Sequence, residues 1–475
     1  MNDEIRNRLE AWIDAHFDAL LSDLEALVRI PSVATYEDPD TPYGQDCRRA
    51  LRDMLSLAEK YGFQTQNCGD RCGTMTRRPA DEWIDIWCHL DVVPAGEGWR
   101  ITAPFEPVIR DDYLIGRGAD DNKGPAIGML YVLRALEEAG VPTRHGLRLC
   151  VGTDEEHGMG DVRYFTQHHP SGKLSVIADS GFPVCYGEKG MIEAEIVPDA
   201  PLERVTSIRA GVAGNMIPDR AERTLRGRAS LEEAWVGARP CGDDTRLVAT
   251  GLSRHSAFPE GSVNAIHELT RAALRTGLLS RSDRATMDFF TRVNDDWLGT
   301  ALGIRGCDSV SGQTTCAGTM LRLREDGRPA LYVNVRHCIS ADSEELLKAM
   351  SAACRAQGCG LEVLNVSAPN YFPREHPVVD AMTSVYNEMT GERREPFVMG
   401  GGTYARKLPN ALAFGLGGMD RPKTALFAPG HGGAHQPDEG LYLPNFKRAL
   451  LIFAMGLLEA DRVLAGAQGS AASAE

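Results

Sequence analysis

Residues 83–91 read Trp83-Ile-Asp-Ile-Trp-Cys-His-Leu-Asp91, a pattern that predicts a strand, and Val92-Val-Pro94 closes it. Because side chains alternate along a strand, positions 89 and 91 share one face. That spacing would let Asp91 accept a hydrogen bond from the ring of His89 and so fix the tautomer of a metal-binding imidazole. Taken alone, the segment favours a simpler interpretation, a strand-end histidine followed by an aspartate in a turn.

Further strands and helices follow this run along the chain. A helix is predicted for residues 125–139 and ends at Gly140, and strands are predicted for 147–151 and 174–178. Strands separated by helices indicate an α/β domain with a largely parallel sheet. Between about residues 190 and 390 the pattern becomes mixed, which predicts an inserted α+β region. We therefore expect one domain built from 1–188 and 393–464, an inserted domain at 189–392, and a disordered tail at 465–475.

The composition excludes several classes of protein. The chain has 475 residues and a formal net charge of −15, and so negative a chain argues against nucleic acid as a partner. Neither a membrane-spanning apolar run nor the apolar core of a signal peptide is found. We therefore expect a cytoplasmic protein with no membrane partner and with its 12 cysteines reduced.

Four further segments carry acidic residues or histidines near predicted turns or strand ends: 116–124, 152–158, 178–181 and 429–439. Each has a simple alternative, such as helix caps or a solvated acidic loop. Three consecutive carboxylates at 154–156 nevertheless repel one another unless cations lie among them. Together with His89, the segments supply two candidate metal-binding imidazoles, the second being one of the histidines of 429–439, and several carboxylates, mostly at the carboxyl ends of strands, where open α/β sheets bind ligands. A mixed nitrogen and oxygen donor set suits Zn²⁺, with Mn²⁺ or Co²⁺ as substitutes.

These motifs resemble those of the dinuclear-zinc peptidases and deacylases, the family that includes carnosinases, aminoacylases, acetylornithine deacetylase and succinyl-diaminopimelate desuccinylase. The matching segments are HLDVVP at 89–94, GRGADDNKGP at 116–125, TDEEHG at 153–158, ADSGFP at 178–183 and GAHQPDE at 433–439. They occur in the family's order and spacing. The resemblance implies a zinc-exopeptidase-like α/β catalytic domain, with a mostly parallel sheet and helices on both faces, plus an inserted α+β lid domain.

The resemblance also implies a site with two Zn²⁺ ions per chain. Its ligands would be His89 and Asp179 for one ion, Glu156 and His435 for the other, and Asp121 as the bridge. Asp121 is preferred to Asp120 because the family places the bridge three residues after the second glycine of GRG. Asp91 would orient His89, and Glu155 would be the general base.

Within the family, the nearest branch is that of the bacterial dipeptidases of PepV type. The overall length, the long insert and the segments AGNMIPD at 213–219 and GGGTYAR at 400–406 resemble that branch. There the insert resembles two lobes of a dimer interface fused in one chain, which implies a monomer; a homodimer remains the alternative.

The same branch implies the substrate-binding residues. His255 would donate to the developing oxyanion, and the planar fork of Arg336 would grip the free carboxylate of a dipeptide. The alternative for Arg336 is a salt bridge at a strand end. Asn215 and Gly401 are further substrate-binding candidates.

The function implied is that of a metalloexopeptidase that hydrolyses dipeptides with a free C-terminal carboxylate. A water activated between the two zinc ions would lose a proton to Glu155. An N-acyl-amino-acid deacylase with the same metal chemistry is the first alternative. A metal-binding protein without catalysis is the second, and the presence of Glu155 argues against it.

Overall fold

The computed structural model of the protein describes residues 3–38 and 40–471, with side chains up to residue 466. Within these ranges, no helix combines the length and the apolar character needed to cross a bilayer. The α-helices are α1 Asp3–Val28, α2 Gln45–Lys60, α3 Lys123–Glu138, α4 Gly160–His168, α5 Ala265–Arg275, α6 Arg281–Val293, α7 Ser343–Arg355, α8 Pro377–Thr390 and α9 Leu443–Ala471.

The strands fall into three groups along the chain. The first group is β1 Gln64–Cys68, β2 Cys72–Thr76, β3 Trp83–His89, β4 Val108–Arg110, β5 Tyr113–Ile115, β6 Gly146–Gly152, β7 Leu174–Ile177, β8 Ser180–Gly181 and β9 Val184–Glu188. The second is β10 Gly190–Pro198, β11 Val205–Ala210, β12 Arg220–Leu225, β13 Glu232–Glu233, β14 Val236–Cys241, β15 Asp244–Thr250, β16 Cys307–Asp308, β17 Gly312–Gln313, β18 Thr315–Leu323, β19 Pro329–His337 and β20 Cys359–Ser367. The third is β21 Asn370–Tyr371, β22 Phe397–Met399, β23 Ala411–Phe414, β24 Leu416–Gly417 and β25 Gly440–Tyr442.

The chain forms two compact units. The main unit comprises Met1–Tyr186, Tyr371–Phe397 and Thr403–Glu475, and the inserted unit comprises Gly187–Asn370 and Val398–Gly402. The expected insert, 189–392, thus differs at its C-terminal end, because α8 buries Val378, Val379 and Met382 in the core of the main unit and packs on α9. The predicted α/β architecture with an inserted α+β region is confirmed.

The sheet of the main unit is parallel at its centre and antiparallel toward its edges. Its strand order is β1-β2-β6-β3-β7-β23-β9-β21, with β22 paired to β9. β3 runs parallel to both β6 and β7, with His89 opposite Gly152 and Trp87 opposite Ile177. The carboxyl ends of these three strands therefore meet at one edge of the sheet, where the acidic segments begin.

Helices cover both faces of this sheet. Ile84, Ile86 and Cys88 belong to the main hydrophobic core, which α1, α3 and α9 complete. The alternating residue Trp87 instead packs its ring edge-on against Phe165 of α4, with ring centroids 4.9 Å apart. Because helices cover both faces of β3, even the polar residues of the run 83–91, which share a face with Trp87, are buried: Asp85, His89 and Asp91.

The inserted unit is built on a second nine-stranded sheet, in the order β13-β14-β15-β12-β11-β18-β19-β10-β20. All pairings recorded for this sheet are antiparallel. A separate apolar core under α5, α6 and α7 supports it. Arg336 lies in β19, opposite Met191 of β10 and Thr315 of β18.

The C-terminal helix extends into the segment that was predicted to be a disordered tail. The tail at 465–475 was expected to be disordered, but α9 continues to Ala471. Residues 472–475 lie outside the described part of the chain.

Candidate metal centre and substrate-binding residues

The edge formed by β3, β6 and β7 brings the predicted ligands together. His89 ends β3, Glu155 and Glu156 follow β6, and Asp179 follows β7. Asp121 comes from the turn that leads into α3, and His435 comes from the loop before β25. Gly118 lets that turn form, since its φ of 85° lies in the left-handed region that favours glycine.

Asp121 lies between the two imidazoles. Its Oδ1 is 3.0 Å from Nε2 of His89, and its Oδ2 is 3.1 Å from Nε2 of His435. The same nitrogen of His435 is 3.0 Å from Oε1 of Glu156. The neighbouring Asp120 instead accepts a hydrogen bond from Arg421 at 2.8 Å. The geometry therefore favours Asp121 over Asp120 as a residue that could bridge two cations.

Two groups of donor atoms share His89. The ligand atoms of His89, Asp121 and Glu156 lie within 4.8 Å of one another, as do those of His89, Glu155 and Asp179. Oδ2 of Asp179 is 3.8 Å from Nε2 of His89. These imidazole nitrogens and carboxylate oxygens match the donor types that Zn²⁺ and Mn²⁺ accept, so the residues fit the metal ions that the resemblance implies.

The contact between Asp91 and His89 differs in detail from the prediction. Nδ1 of His89 lies 3.0 Å from the backbone carbonyl oxygen of Asp91 and 3.5 Å from its carboxylate. The carboxylate instead accepts a hydrogen bond from the backbone N–H of Glu156 at 3.0 Å. Asp91 thus holds the ring of His89 mainly through its main chain, while its side chain holds the acidic loop.

The electrostatics of the site favour a cation. Burial raises the pKa of Glu155 well above its ordinary value, and burial and Asp121 raise the pKa of Glu156. Burial lowers the pKa of His435, but Asp121 and Glu156 outweigh it and raise that pKa to about 11. The raised pKa values mean that Glu155, Glu156 and His435 hold protons more tightly than isolated groups would, and bound cations would compete with those protons.

Two further residues of the quoted motifs, which had no predicted ligand or catalytic role, form hydrogen bonds with candidate ligands or with residues next to them in the chain. Asn122 donates from Nδ2 to Oδ1 of Asp179 at 2.9 Å and accepts from the backbone N–H of His89 at 3.1 Å. Glu439, fully buried, accepts a hydrogen bond from Arg117 at 2.6 Å. The position of both residues within the motifs was the one sequence signal that could have indicated their role. Their bonding partners lie far away along the chain, so the sequence did not show the contacts.

The catalytic candidate His255 and the three substrate-binding candidates, Arg336, Asn215 and Gly401, all belong to the inserted unit. Arg336 is buried and donates to Oδ1 of Asn334 at 2.9 Å and to the backbone oxygen of Gly400, next to Gly401, at 3.1 Å. Ser256 also donates to Oδ1 of Asn334, at 2.9 Å, and its backbone N–H donates to the backbone oxygen of Asn215 at 2.8 Å. His255 precedes Ser256, so all four candidates lie around one hydrogen-bonded cluster.

The tautomer of His255 follows from its main-chain contact. Nδ1 of His255 accepts a hydrogen bond from the backbone N–H of Ala257 at 3.1 Å. Because a backbone N–H can only donate, Nδ1 is unprotonated and the proton of the neutral ring is on Nε2. The ring can therefore act as a donor through Nε2.

Comparison with known proteins gives concordant results. The family model "Peptidase family M20/M25/M40" matches residues 86–458. "Putative dipeptidase YtjP" of Bacillus subtilis is 29% identical over 460 residues, covering 93% of this chain and 96% of that protein. "Putative dipeptidase SH1171" of Staphylococcus haemolyticus is 29% identical over 419 residues, covering 83% and 89%.

Solved structures share the fold. Human carnosine dipeptidase 1 aligns with a TM-score of 0.60 at 14% identity, covering 96% of this chain and 99% of that one. The dipeptidase Dug1p of Saccharomyces cerevisiae aligns with a TM-score of 0.59 at 15% identity, covering 96% and 98%.

Proposed function

Because the chain belongs to peptidase family M20/M25/M40, we propose that it is a metal-dependent dipeptidase that hydrolyses dipeptides with a free C-terminal carboxylate. The observation that carries the proposal is the cluster in which Asp121 lies between His89 and His435, with the buried Glu155 beside His89. The dipeptidase names of the two bacterial relatives support the choice of substrate.

The cluster would hold two Zn²⁺ ions, with Mn²⁺ or Co²⁺ as substitutes. His89 and Asp179 would bind one ion, Glu156 and His435 the other, and Asp121 both. When bound, such ions polarise carbonyl groups and lower the pKa of water.

The side chains of this protein would carry the proton transfers. As the oxygen of water bonds to the scissile carbonyl carbon, Glu155 takes a proton from that water. Glu155 then delivers the proton to the nitrogen as the C–N bond breaks. Burial in an acidic environment raises the pKa of Glu155, which suits a group that must both accept and return a proton.

The inserted unit would supply the groups that bind the substrate. His255 would donate from Nε2 to the oxygen on which negative charge develops. Arg336 would bind the terminal carboxylate, with Asn215 and Gly401 contributing further contacts. The bonds from Arg336 to Asn334 and Gly400 would hold its guanidinium in one orientation.

The test is hydrolysis of a substrate panel by metal-stripped protein, with and without added Zn²⁺ or Mn²⁺. The panel contains dipeptides, the same dipeptides as C-terminal amides, tripeptides, and N-acetyl amino acids. We expect metal-dependent cleavage of the free dipeptides and little cleavage of the amides. Cleavage of N-acetyl amino acids alone would identify a deacylase with the same metal chemistry, and binding of metal without any cleavage would contradict an enzymatic function on this panel.

A further inference from the structure

A buried carboxylate outside the metal cluster holds the loop that carries Glu155. Asp161, at the start of α4, is fully buried. Its Oδ2 accepts hydrogen bonds from the backbone N–H of Thr153 at 2.7 Å and of Asp154 at 2.8 Å. Its Oδ1 accepts from the backbone N–H of Val162 at 2.7 Å. Both oxygens are therefore used, and one of them fixes the two residues that immediately precede Glu155.

The side chain of Tyr404, from a distant segment, completes this arrangement. We call Asp161 and Tyr404 together the anchor of the loop. The hydroxyl of Tyr404 donates to Oδ2 of Asp161, although 243 residues separate the two. The ring of Tyr404 is buried and lies edge-on against Trp87, with centroids 5.3 Å apart. Tyr404 belongs to the segment GGGTYAR, for which the catalytic proposal has no role beyond Gly401.

The packing around the anchor is too close for any side chain at position 152. A Cβ atom on Gly152 would lie 2.0 Å from the hydroxyl of Tyr404 and 2.1 Å from Oδ2 of Asp161. Gly152 is the last residue of β6, directly before the acidic loop. The glycine at position 152, which has no Cβ, thus leaves room for the contact between Tyr404 and Asp161 at the point where the loop begins.

We propose that Asp161, held by Tyr404, is a positioning residue that sets the direction of Glu155. The inference rests on the proposed function, in which Glu155 is the base. Asp161 fixes the main chain at 153 and 154, and Asp91 fixes it at 156 through its 3.0 Å bond to the backbone N–H of Glu156. Because the main chain is fixed on both sides of Glu155, only rotations about its side-chain bonds can change the direction of its carboxylate.

The anchor requires a carboxylate with two acceptor oxygens. In Asp161→Asn, an amide NH₂ would face either the N–H of Val162 or the donors on Oδ2, and two donors cannot bond to each other. Burial raises the pKa of Asp161 to about 7, while the hydroxyl of Tyr404 and the N–H of Val162 act in the opposite direction. Tyr404 therefore also stabilises the ionised form that the loop needs.

The first test measures whether Tyr404 holds the loop, and it does not depend on activity. Amide hydrogen exchange is followed at Thr153 and Asp154 in metal-free wild type and in Tyr404→Phe. We expect exchange at these two amides to become at least about tenfold faster in the variant, because their acceptor loses its third partner. The matched control is Tyr131→Phe, which removes another buried hydroxyl bonded to a carboxylate, that of Asp23 at 2.6 Å. Unchanged exchange in Tyr404→Phe, or equal acceleration in the control, would show that Tyr404 does not hold the loop through Asp161.

The second test is a double-mutant cycle with Glu155→Gln, read as kcat and KM for a dipeptide. If Tyr404 acts through Glu155, Tyr404→Phe lowers kcat about tenfold in the wild-type background and less than about twofold in the Glu155→Gln background. KM and metal content should stay within about twofold of the parent. Equal losses in both backgrounds, or none in the wild type, would refute the positioning role.

Asp161→Asn provides the same two readouts if Tyr404→Phe folds poorly. If the wild type cleaves no dipeptide, the proposed function fails, whereas the exchange experiment still decides whether the anchor exists.

Discussion

Oε1 of Glu439 lies 3.1 Å from the backbone nitrogen of Asp121, a contact between residues 318 positions apart. The same oxygen accepts from the backbone N–H of Asp120 at 3.0 Å, and the backbone oxygen of Glu439 accepts from the N–H of Gly116 at 2.9 Å. Since Glu439 follows His435 by only four residues, it ties the segment of one candidate ligand to the turn of another. The distance between Asp121 and His435 is thereby set by a residue that need not touch the metal.

Glu439→Gln should weaken metal binding by about 10- to 100-fold, the usual cost of losing a residue that orients ligands. The amide can still accept one hydrogen bond, but the buried Arg117 loses the carboxylate that it contacts at 2.6 Å. Zinc affinity is measured by competition with a chromophoric chelator. The control is Glu395→Gln, a carboxylate whose side chain is 89% exposed. Wild-type affinity in Glu439→Gln would show that the loop holds its shape without this carboxylate.

Two adjacent glutamates should respond differently to the same substitution. Glu155→Gln should lower kcat by about 10²- to 10⁴-fold and leave the metal content unchanged, because it removes a proton acceptor. Glu156→Gln should instead lower the metal content, since Glu156 lies 3.0 Å from His435 within the cluster. Metal analysis and steady-state kinetics on both variants check this pair. Near wild-type turnover in Glu155→Gln would rule out that residue as the base.

Arg336→Lys should reduce kcat/KM for dipeptides by roughly 10- to 100-fold, mostly through KM, because lysine cannot grip a carboxylate bidentately. C-terminal dipeptide amides, which lack the carboxylate, should show little further loss. The comparison of the two substrate sets is the measurement, with thermal unfolding as the check on folding. Equal losses on both sets would favour a purely structural role, based on the bonds from Arg336 to Asn334 and Gly400.

Asp308 should make the inserted unit sensitive to acid. Burial raises its pKa, but hydrogen bonds from the backbone N–H groups of Ser311 at 2.5 Å and Ser340 at 3.0 Å outweigh burial and hold the pKa far below its ordinary value of 3.8. Because the folded-state pKa is depressed, the stabilising contribution is present above pH 3.8 and is lost as the pH falls further.

The variant that tests this is Asp308→Asn, compared with wild type by urea unfolding of metal-free protein. Its free energy of unfolding should be lower by about 1–2 kcal/mol at pH 7, and the difference should shrink at pH 3. A difference that is the same at both pH values would exclude the ionised carboxylate as its cause.

Most of the candidate site was predictable because strand ends and motifs are local features. The predicted strands 83–91, 147–151 and 174–178 account for all three of the strand ends that converge, and the parallel register explains why they meet. The end of the insert was not predictable in the same way. The sequence of helix α8 does not show which of the two cores its apolar residues join, and its burial against α9 assigns it to the main unit.

Local strand, helix and motif patterns were enough to predict an α/β fold with an inserted region, and the resemblance of the motifs to a known family implied the carboxylate–histidine centre. The three-dimensional arrangement was needed to see that Asp91 holds His89 through its main chain, and that Asn122, Glu439, Asp161 and Tyr404 support the centre. The bond from Tyr404 to Asp161 spans 243 residues, and that from Glu439 to Asp121 spans 318. No local pattern encodes such a pair, because its geometry exists only once the strands and helices between its members have packed.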